Sequence, residues 1–321
     1  MEYVMWSVLL LSGFSMLLVG ADFFADGAGR IAHRLGVSDL VIGLTVMALG
    51  SSAPEAFVSI GAALAGETDI AVGNVLGNNI LNICLILGLC GMITRMKVPA
   101  VTVRFEIPFL ILITGFLAWL GYSKGYLERR DGVILCLLMV AYFIYLLKTA
   151  RTGKKELQAA QTFESEAAGK RKTPVLWLLA GLFLLLAGTR LTIEAVCALA
   201  TALVIGQRTV ALTVVAFGTS FPTLMTCLSA ARRHKTDMVV GNIVGTNIFN
   251  ILFVLGVSSL IDYIPYSGSY YVDGLAALAI SVVLWLCVLR KKELGRLGGV
   301  ILLLCMIVYY VFLLWRHQVA G

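Results

Sequence analysis

The sequence predicts an all-α integral membrane protein of ten transmembrane helices, built as two inverted five-helix repeats with broken helices 2 and 7. Three observations predict it. Of 321 residues, 60% are hydrophobic and only 13% charged, too few polar side chains to cover a water-soluble globule of this size. Apolar stretches of about 20 residues, long enough to cross the hydrocarbon core, recur from end to end. Residues 41–88 also lie on 209–256 without a gap, at a constant offset of 168, with 21 identities in 48 positions. A helical core protein buried in a complex would share the composition, but ten such stretches leave nothing to form its surface.

The apolar runs place helices near 4–24, 38–64, 70–93, 104–122 and 131–148, then near 174–197, 209–230, 237–258, 272–290 and 298–315. The organisation is therefore 1–148 for the first repeat, 149–173 for a polar linker and 174–321 for the second repeat. Helix 1 has no basic leader and no small-residue cleavage site, so it reads as a retained membrane helix. Helix 2 is apolar enough to span but holds Gly50-Ser51-Ser52-Ala53-Pro54-Glu55 at its middle. Helix 3 opens with Asp69 and helix 8 with Asp237, both expected as N-caps. Gly73 and Gly77, matched by Gly241 and Gly245, are small pairs one turn apart that let helices approach closely. The linker carries Lys154, Lys155, Glu156, Glu164, Glu166, Lys170, Arg171 and Lys172, and is too short and polar to hold a core of its own. In helix 6, Arg190 and Glu194 are four apart and pair along one face. These two, with Asp22 and Asp26, lie outside the duplicated core and read as structural or helix-end charges. Helix 7 repeats the helix 2 motif as Gly218-Thr219-Ser220-Phe221-Pro222, with Thr223 where helix 2 has Glu55.

Charge sets the orientation. With the N-terminus outside, the inner loops and linker collect 19 of the 25 Lys and Arg residues, the positive-inside pattern. The outer loops then hold Glu67, Asp69, Asp262 and Asp273. Both termini are expected outside and the linker in the cytoplasm of a bacterial inner (plasma) membrane. An odd number of helices per half makes the repeats face opposite ways. The net charge of +7 therefore belongs to membrane topology and not to nucleic acid. All seven cysteines lie in apolar stretches, match no metal spacing, and read as small packing residues.

The chemistry concentrates in the duplicated segment. Pro54 cannot donate to the carbonyl of Gly50, which frees backbone oxygens near Ala48 at membrane depth. Unpaired backbone is tolerated there only where it lines a cavity or meets a ligand. A hard cation takes carbonyls, hydroxyls and carboxylates, and Ser51, Ser52 and Glu55 offer them. A plain proline kink with back-bonded serines would explain one such segment. Two, at matching places and one beside a mid-membrane Glu, point instead to a transporter's binding site. Glu55 has no Lys or Arg in its own segment, so a bound cation or proton is its natural partner. The amides Asn74, Asn78, Asn79 and Asn82, matched by Asn242, Thr246, Asn247 and Asn250, could offer neutral oxygens from the facing helices.

These residues resemble a known family. Gly50-Ser51-Ser52-Ala53-Pro54-Glu55 with Gly73-Asn74-Val75-Leu76-Gly77-Asn78-Asn79-Ile80, and their second copies, look like the two α-repeats of the calcium/cation antiporter superfamily, closest to bacterial and archaeal sodium/calcium exchangers. Gly20-Ala21-Asp22, Leu35-Gly36-Val37-Ser38 and Arg104-Phe105-Glu106-Ile107-Pro108 are also typical of that branch. The resemblance covers nearly the whole chain. It implies cation-binding residues Ala48, Ser51, Ser52, Glu55, Asn78 and Asn82 in the first half, and Ala216, Thr219, Ser220, Thr223, Thr246 and Asn250 in the second. Of these, Glu55, Ser51 and Thr219 are the expected metal ligands. It further implies alternating access, with Na+ running inward and Ca2+ outward, no cofactor, and no large regulatory domain in the short linker.

The chain departs from that pattern at Thr223, where family members usually carry an acid, and at Asn250, where they often carry another. Ca2+ beside the single carboxylate Glu55 keeps about one uncompensated positive charge, a large penalty even at an effective dielectric of about 20. Weaker calcium binding, a shift toward monovalent cations or an altered stoichiometry follows. The alternative is therefore a monovalent cation (Na+ or K+)/proton exchanger, since a carboxyl withdrawn from water could carry protons. An intramembrane enzyme is disfavoured: His33, His234 and His317 lie near helix ends or in loops, and no nucleophile stands beside a base. A non-transporting scaffold is disfavoured by the retention of Glu55, both prolines and both sets of amides.

Overall fold

The computed structural model describes residues 2–35, 52–152, 173–203, 206–232, 237–266 and 268–320. Nine helices among the described residues are long and apolar enough to cross a bilayer, and Ala53–Leu64 is a shorter apolar helix. In chain order these are α1 (Glu2–Arg34), α2 (Ala53–Leu64), α3 (Thr68–Ile93), α4 (Thr102–Lys124), α5 (Arg129–Thr152), α6 (Pro174–Ala202), α7 (Gln207–Arg232), α8 (Asp237–Ile261), α9 (Ser269–Leu289) and α10 (Arg296–Ala320). The order matches the ten expected spans, with α2 described from Ser52 onward.

Several helices outrun their apolar windows. α1 has 33 residues and α6 has 29, so each is about 45–50 Å long against a hydrocarbon core of about 30 Å. They pack on each other antiparallel through a stripe of glycines spaced by seven. A Cβ on Gly20 would sit 3.0 Å from the carbonyl of Gly181, and one on Gly27 would sit 2.5 Å from the amide of Leu178. Backbones in such contact need residues without side chains. α5 runs to Thr152, into the stretch expected as linker; the rest of that linker lies outside the described residues.

The repeat is visible in the backbone. α3 holds a π segment at Asn82–Leu87 and α8 one at Asn250–Leu255, 168 positions apart. Two short ladders repeat it again. β1 (Met96–Lys97) pairs antiparallel with β4 (Glu293–Leu294), and β2 (Tyr126–Leu127) with β3 (Ile264–Pro265). An offset of 168 carries β1 onto β3, and β2 to within one residue of β4. The ladders tie the α3–α4 turn to the α9–α10 turn at one end, and the α4–α5 turn to the α8–α9 turn at the other. Alternate turns thus lie at opposite ends, as five-helix inverted repeats require.

α3 and α8 form the centre: 78% of each central window is buried, against 50% or less in every other span. Gly73 and Gly77 press α3 onto α7, with added Cβ atoms 2.7 Å from the Cβ of Ala211 and 2.5 Å from the carbonyl of Leu212. Three expectations are refined. The break of helix 7 is not a gap: α7 continues through Pro222 and carries a π segment at Ala211–Val215. In hydrocarbon no water takes up freed carbonyls, so a ladder that shifts register is less costly than one that opens. The corresponding stretch of helix 2, residues 36–51, lies outside the described residues. Asp69 is not an N-cap, because left-handed Gly66 (φ 78°) turns the chain tightly enough for α3 to restart at Thr68, with Glu67 at the cap position. Asp237 is the first described residue of α8, and the residues before it lie outside the described residues. Asp273 lies in helix α9 and not in a loop, and its side chain is fully buried.

Candidate functional site

α2 starts where its proline is harmless. Pro54 stands in the first turn, where an N–H would have no helical partner. Glu55 follows on the same turn and is 1% exposed, and its Oε2 has no hydrogen-bond partner among the described residues. One turn on, Ser59 shares its face and is fully buried.

α3 lays its amides against this face. Asn74 Nδ2 donates to Ser59 Oγ at 2.9 Å and to the Glu55 carbonyl at 3.3 Å. A turn later, Asn78 Nδ2 donates to Thr219 Oγ1 at 2.9 Å, and Ser220 Oγ donates to Asn78 Oδ1. Thr219 Oγ1 in turn lies 3.3 Å from Asn74 Oδ1 and 3.1 Å from the Val215 carbonyl. With one hydroxyl proton it satisfies these acceptors only in alternation. A continuous polar chain thus runs from Glu55 and Ser59 in α2, through Asn74 and Asn78 in α3, to Thr219 and Ser220 in α7. It crosses from one repeat into the other.

A second network joins α3 to α8. Asn79 Nδ2 donates to the backbone carbonyl of Asn247 at 3.2 Å, and Asn247 Nδ2 donates to the backbone carbonyl of Asn79 at 3.0 Å. Asn82 Nδ2 donates to Asn247 Oδ1 at 2.9 Å, and Asn250 Nδ2 to Asn79 Oδ1 at 3.0 Å. Each bond has its mate at the 168 offset. Asn82 Oδ1 and Asn250 Oδ1 are left buried and without a partner among the described residues. Asn82 and Asn250 also open the two π segments, a local geometry frequent at functional sites.

Among the expected site residues, Ala48 and Ser51 lie outside the described residues. Ser52, Glu55, Asn78, Asn82, Ala216, Thr219, Ser220, Thr246 and Asn250 are all buried, and Thr223 is half-buried. Hydrogen bonds bring Asn78 directly to Thr219 and Ser220, whereas Asn82 and Asn250 are reached only through Asn247 and Asn79. Ser59 was not among the expected residues, and Asn79 and Asn247 were expected only as members of the amide cluster and not as cation-binding residues. The signal for Ser59 was its place one turn beyond Glu55. The buried side-chain oxygens without partners among the described residues include those of Glu55, Asn82 and Asn250, and oxygens of this kind are what a hard cation takes.

Arg190 and Glu194 pair as expected, at 2.8 Å and exposed. A different buried pair had no sequence warning: the Arg208 guanidinium of α7 bonds Asp273 of α9, whose other oxygen accepts from Tyr309 of α10 at 3.2 Å. The Arg208 guanidinium also lies 5.1 Å over the Tyr270 ring.

The comparisons with known proteins agree with this architecture. The model of the sodium/calcium exchanger protein family matches residues 5–148 and 173–315, one match in each half. The inner membrane protein YrbG of Escherichia coli is 34% identical over 98% of both chains. The sodium/calcium exchanger MaX1 of Methanosarcina acetivorans is 28% identical over 96% of this chain and 98% of its own. A solved structure of the sodium-calcium exchanger NCX_Mj superposes with a TM-score of 0.63 at 30% identity, covering 96% of this chain and 99% of that one. This chain, repeated motifs and helix order included, belongs to the sodium/calcium exchanger protein family.

Proposed function

We propose that this chain is a secondary active antiporter that exchanges sodium for calcium by alternating access at the buried site around Glu55. Membership of the family supports cation antiport in general; the site residues support the particular reading. Glu55 is the central ligand. Asn78, Asn82, Thr219, Ser220, Thr246 and Asn250, with Ser51, Ser52, Thr223 and the carbonyls of Ala48 and Ala216, supply neutral oxygens. The observation that carries the reading is the Glu55 carboxyl, buried with Oε2 unpartnered among the described residues. A carboxylate in that position costs several kcal/mol unless a cation or proton meets it.

The relative YrbG is an inner membrane protein by name, and the inner or plasma membrane is the location proposed here. Arg95, Lys97, Arg290, Lys291, Lys292 and Arg296 gather around the turns joined by β1 and β4. That end is taken as cytoplasmic, with both termini and the β2–β3 end outside.

The second reading, a Na+ or K+/proton exchanger, is favoured by one observation: the half-buried Thr223 occupies the position that matches Glu55, so the site holds one charge fewer. Sodium-loaded proteoliposomes diluted into sodium-free medium test both. Uptake of radiolabelled calcium that needs the sodium gradient and is lost in Glu55→Gln supports the first reading. No calcium uptake, but acidification or alkalinisation of the lumen on a sodium or potassium gradient, overturns it in favour of the second.

A further inference from the structure

The four amides between α3 and α8 are not free to choose which way they face. The backbone carbonyl of Asn79 can only accept, so the Asn247 side-chain atom 3.0 Å from it is the NH2 group. That leaves Asn247 Oδ1 as an acceptor, so the Asn82 atom 2.9 Å from it must be Nδ2. The oxygen of Asn82 is the atom left over. The same logic runs through the mirror set. The Asn247 carbonyl takes the Asn79 NH2 at 3.2 Å, Asn79 Oδ1 then takes the Asn250 NH2 at 3.0 Å, and the oxygen of Asn250 is left over. Two main-chain carbonyls thereby determine the rotation of four side chains. Both leftover atoms are buried oxygens with no partner among the described residues, and a buried acceptor left unmade is costly.

We infer that Asn79 and Asn247 are positioning residues that hold Asn82 and Asn250 with their carbonyl oxygens, and not their NH2 groups, turned to the transported cation. The inference rests on the cation-antiporter reading above. An amide flips at little cost when both of its ends meet nothing, and a flipped Asn82 or Asn250 would present a donor that repels a cation. Asn247 prevents this for Asn82, because a flip would set two acceptor oxygens face to face. Asn79 does the same for Asn250. The pairing is crossed: each positioning residue sits in the opposite repeat from the amide it holds. The orientation of the site in one half is therefore fixed by the other half.

The test is a pair of double-mutant cycles on the full-length protein in proteoliposomes, reading KM and Vmax for radiolabelled calcium and, in parallel, radiolabelled sodium. Asn247→Ala is expected to raise the cation KM about tenfold or more, as loss of an outer-shell partner does at metal sites. In an Asn82→Ala background the same substitution should add nothing to KM, because the side chain it holds is gone. Asn79→Ala should still raise KM in that background, since Asn79 holds Asn250. Where Asn247→Ala does not yield folded protein, the mirror cycle of Asn79→Ala with Asn250→Ala makes the same measurement. KM effects that simply add for Asn82 and Asn247, or a fall in melting temperature and Vmax with KM unchanged, overturn the inference and leave a structural staple. Wild-type vesicles that move neither ion overturn the antiporter reading, and this inference with it. Wild-type flux with additive KM effects overturns the inference alone.

Discussion

Asn78 of α3 donates to Thr219 Oγ1 of α7 at 2.9 Å, across 141 positions of sequence and from one repeat to the other. Thr219 is 1% exposed and Asn78 fully buried, so neither has water as an alternative partner. Thr219→Val keeps the shape and removes the hydroxyl. It is expected to leave an Asn78 N–H unsatisfied at a cost of about 1–3 kcal/mol. The melting temperature in detergent should fall and exchange should weaken, while Thr219→Ser, which retains the hydroxyl, should stay close to wild type in both. Equal behaviour of the Val and Ser variants would mean the bond has no energetic weight.

The contact exists because α3 carries a glycine immediately before each amide, Gly73 before Asn74 and Gly77 before Asn78. A Cβ on Gly77 would lie 2.5 Å from the Leu212 carbonyl and 2.8 Å from the Ala216 Cβ. The first of these is backbone and cannot swing aside, so Gly77→Ala is expected to push α3 off α7. Overpacking of this kind costs about 1–3 kcal/mol, and the displacement would also stretch the Asn78–Thr219 bond. Folded yield and melting temperature should drop together, and Gly77→Leu should give little folded protein. A Gly77→Ala protein as stable and active as wild type would contradict the packing described.

Much of this architecture was legible in the sequence because the duplication repeats residues with strong local consequences. Gly50, Pro54, Gly73 and Asn82 recur as Gly218, Pro222, Gly241 and Asn250, and such residues leave marks that apolar ones do not. Other features depended on information that periodicity lacks. Hydropathy sees where α1 is apolar but not that its helix runs on past Asp22 and Asp26, which a tilted or protruding end accommodates. Two-residue strands carry no alternation to detect. Asn79 and Asn247 read as members of an amide cluster, yet their exchange of backbone bonds is a contact between halves 168 apart. Arg208 and Asp273 sit 65 apart on different helices, and no spacing rule links them.

That pair makes a separate prediction. The Asp273 side chain is fully buried and Arg208 is 15% exposed. Removing one partner strands a charge away from water, which typically costs about 3–5 kcal/mol, whereas replacing both with apolar groups is often neutral. Arg208→Met and Asp273→Leu are each expected to lower the detergent melting temperature steeply. The double variant should recover most of the loss, although Tyr309 then also lacks its acceptor. Single variants with melting temperatures at wild type would show that solvent reaches the pair.

Thr223→Glu asks whether the missing acid determines the substrate. Thr223 is half-buried at the position 168 beyond Glu55, and on the proposed reading a carboxylate there would face the same site from the other repeat. At an effective dielectric of about 20, two unit charges about 4 Å apart attract by about 4 kcal/mol. Desolvation of the new carboxylate removes part of this, and a remaining gain of about 1.4 kcal/mol is tenfold in affinity. The gain doubles for a divalent ion, so the variant is expected to lower the calcium KM about tenfold or more while changing the sodium KM less. Measured in the same vesicles, that split in selectivity is the signature of an added charge. If both ions responded equally, the substitution would have altered packing and not the electrostatics of the site. If calcium affinity were unchanged, Thr223 would lie too far from the transported ion to count among its ligands.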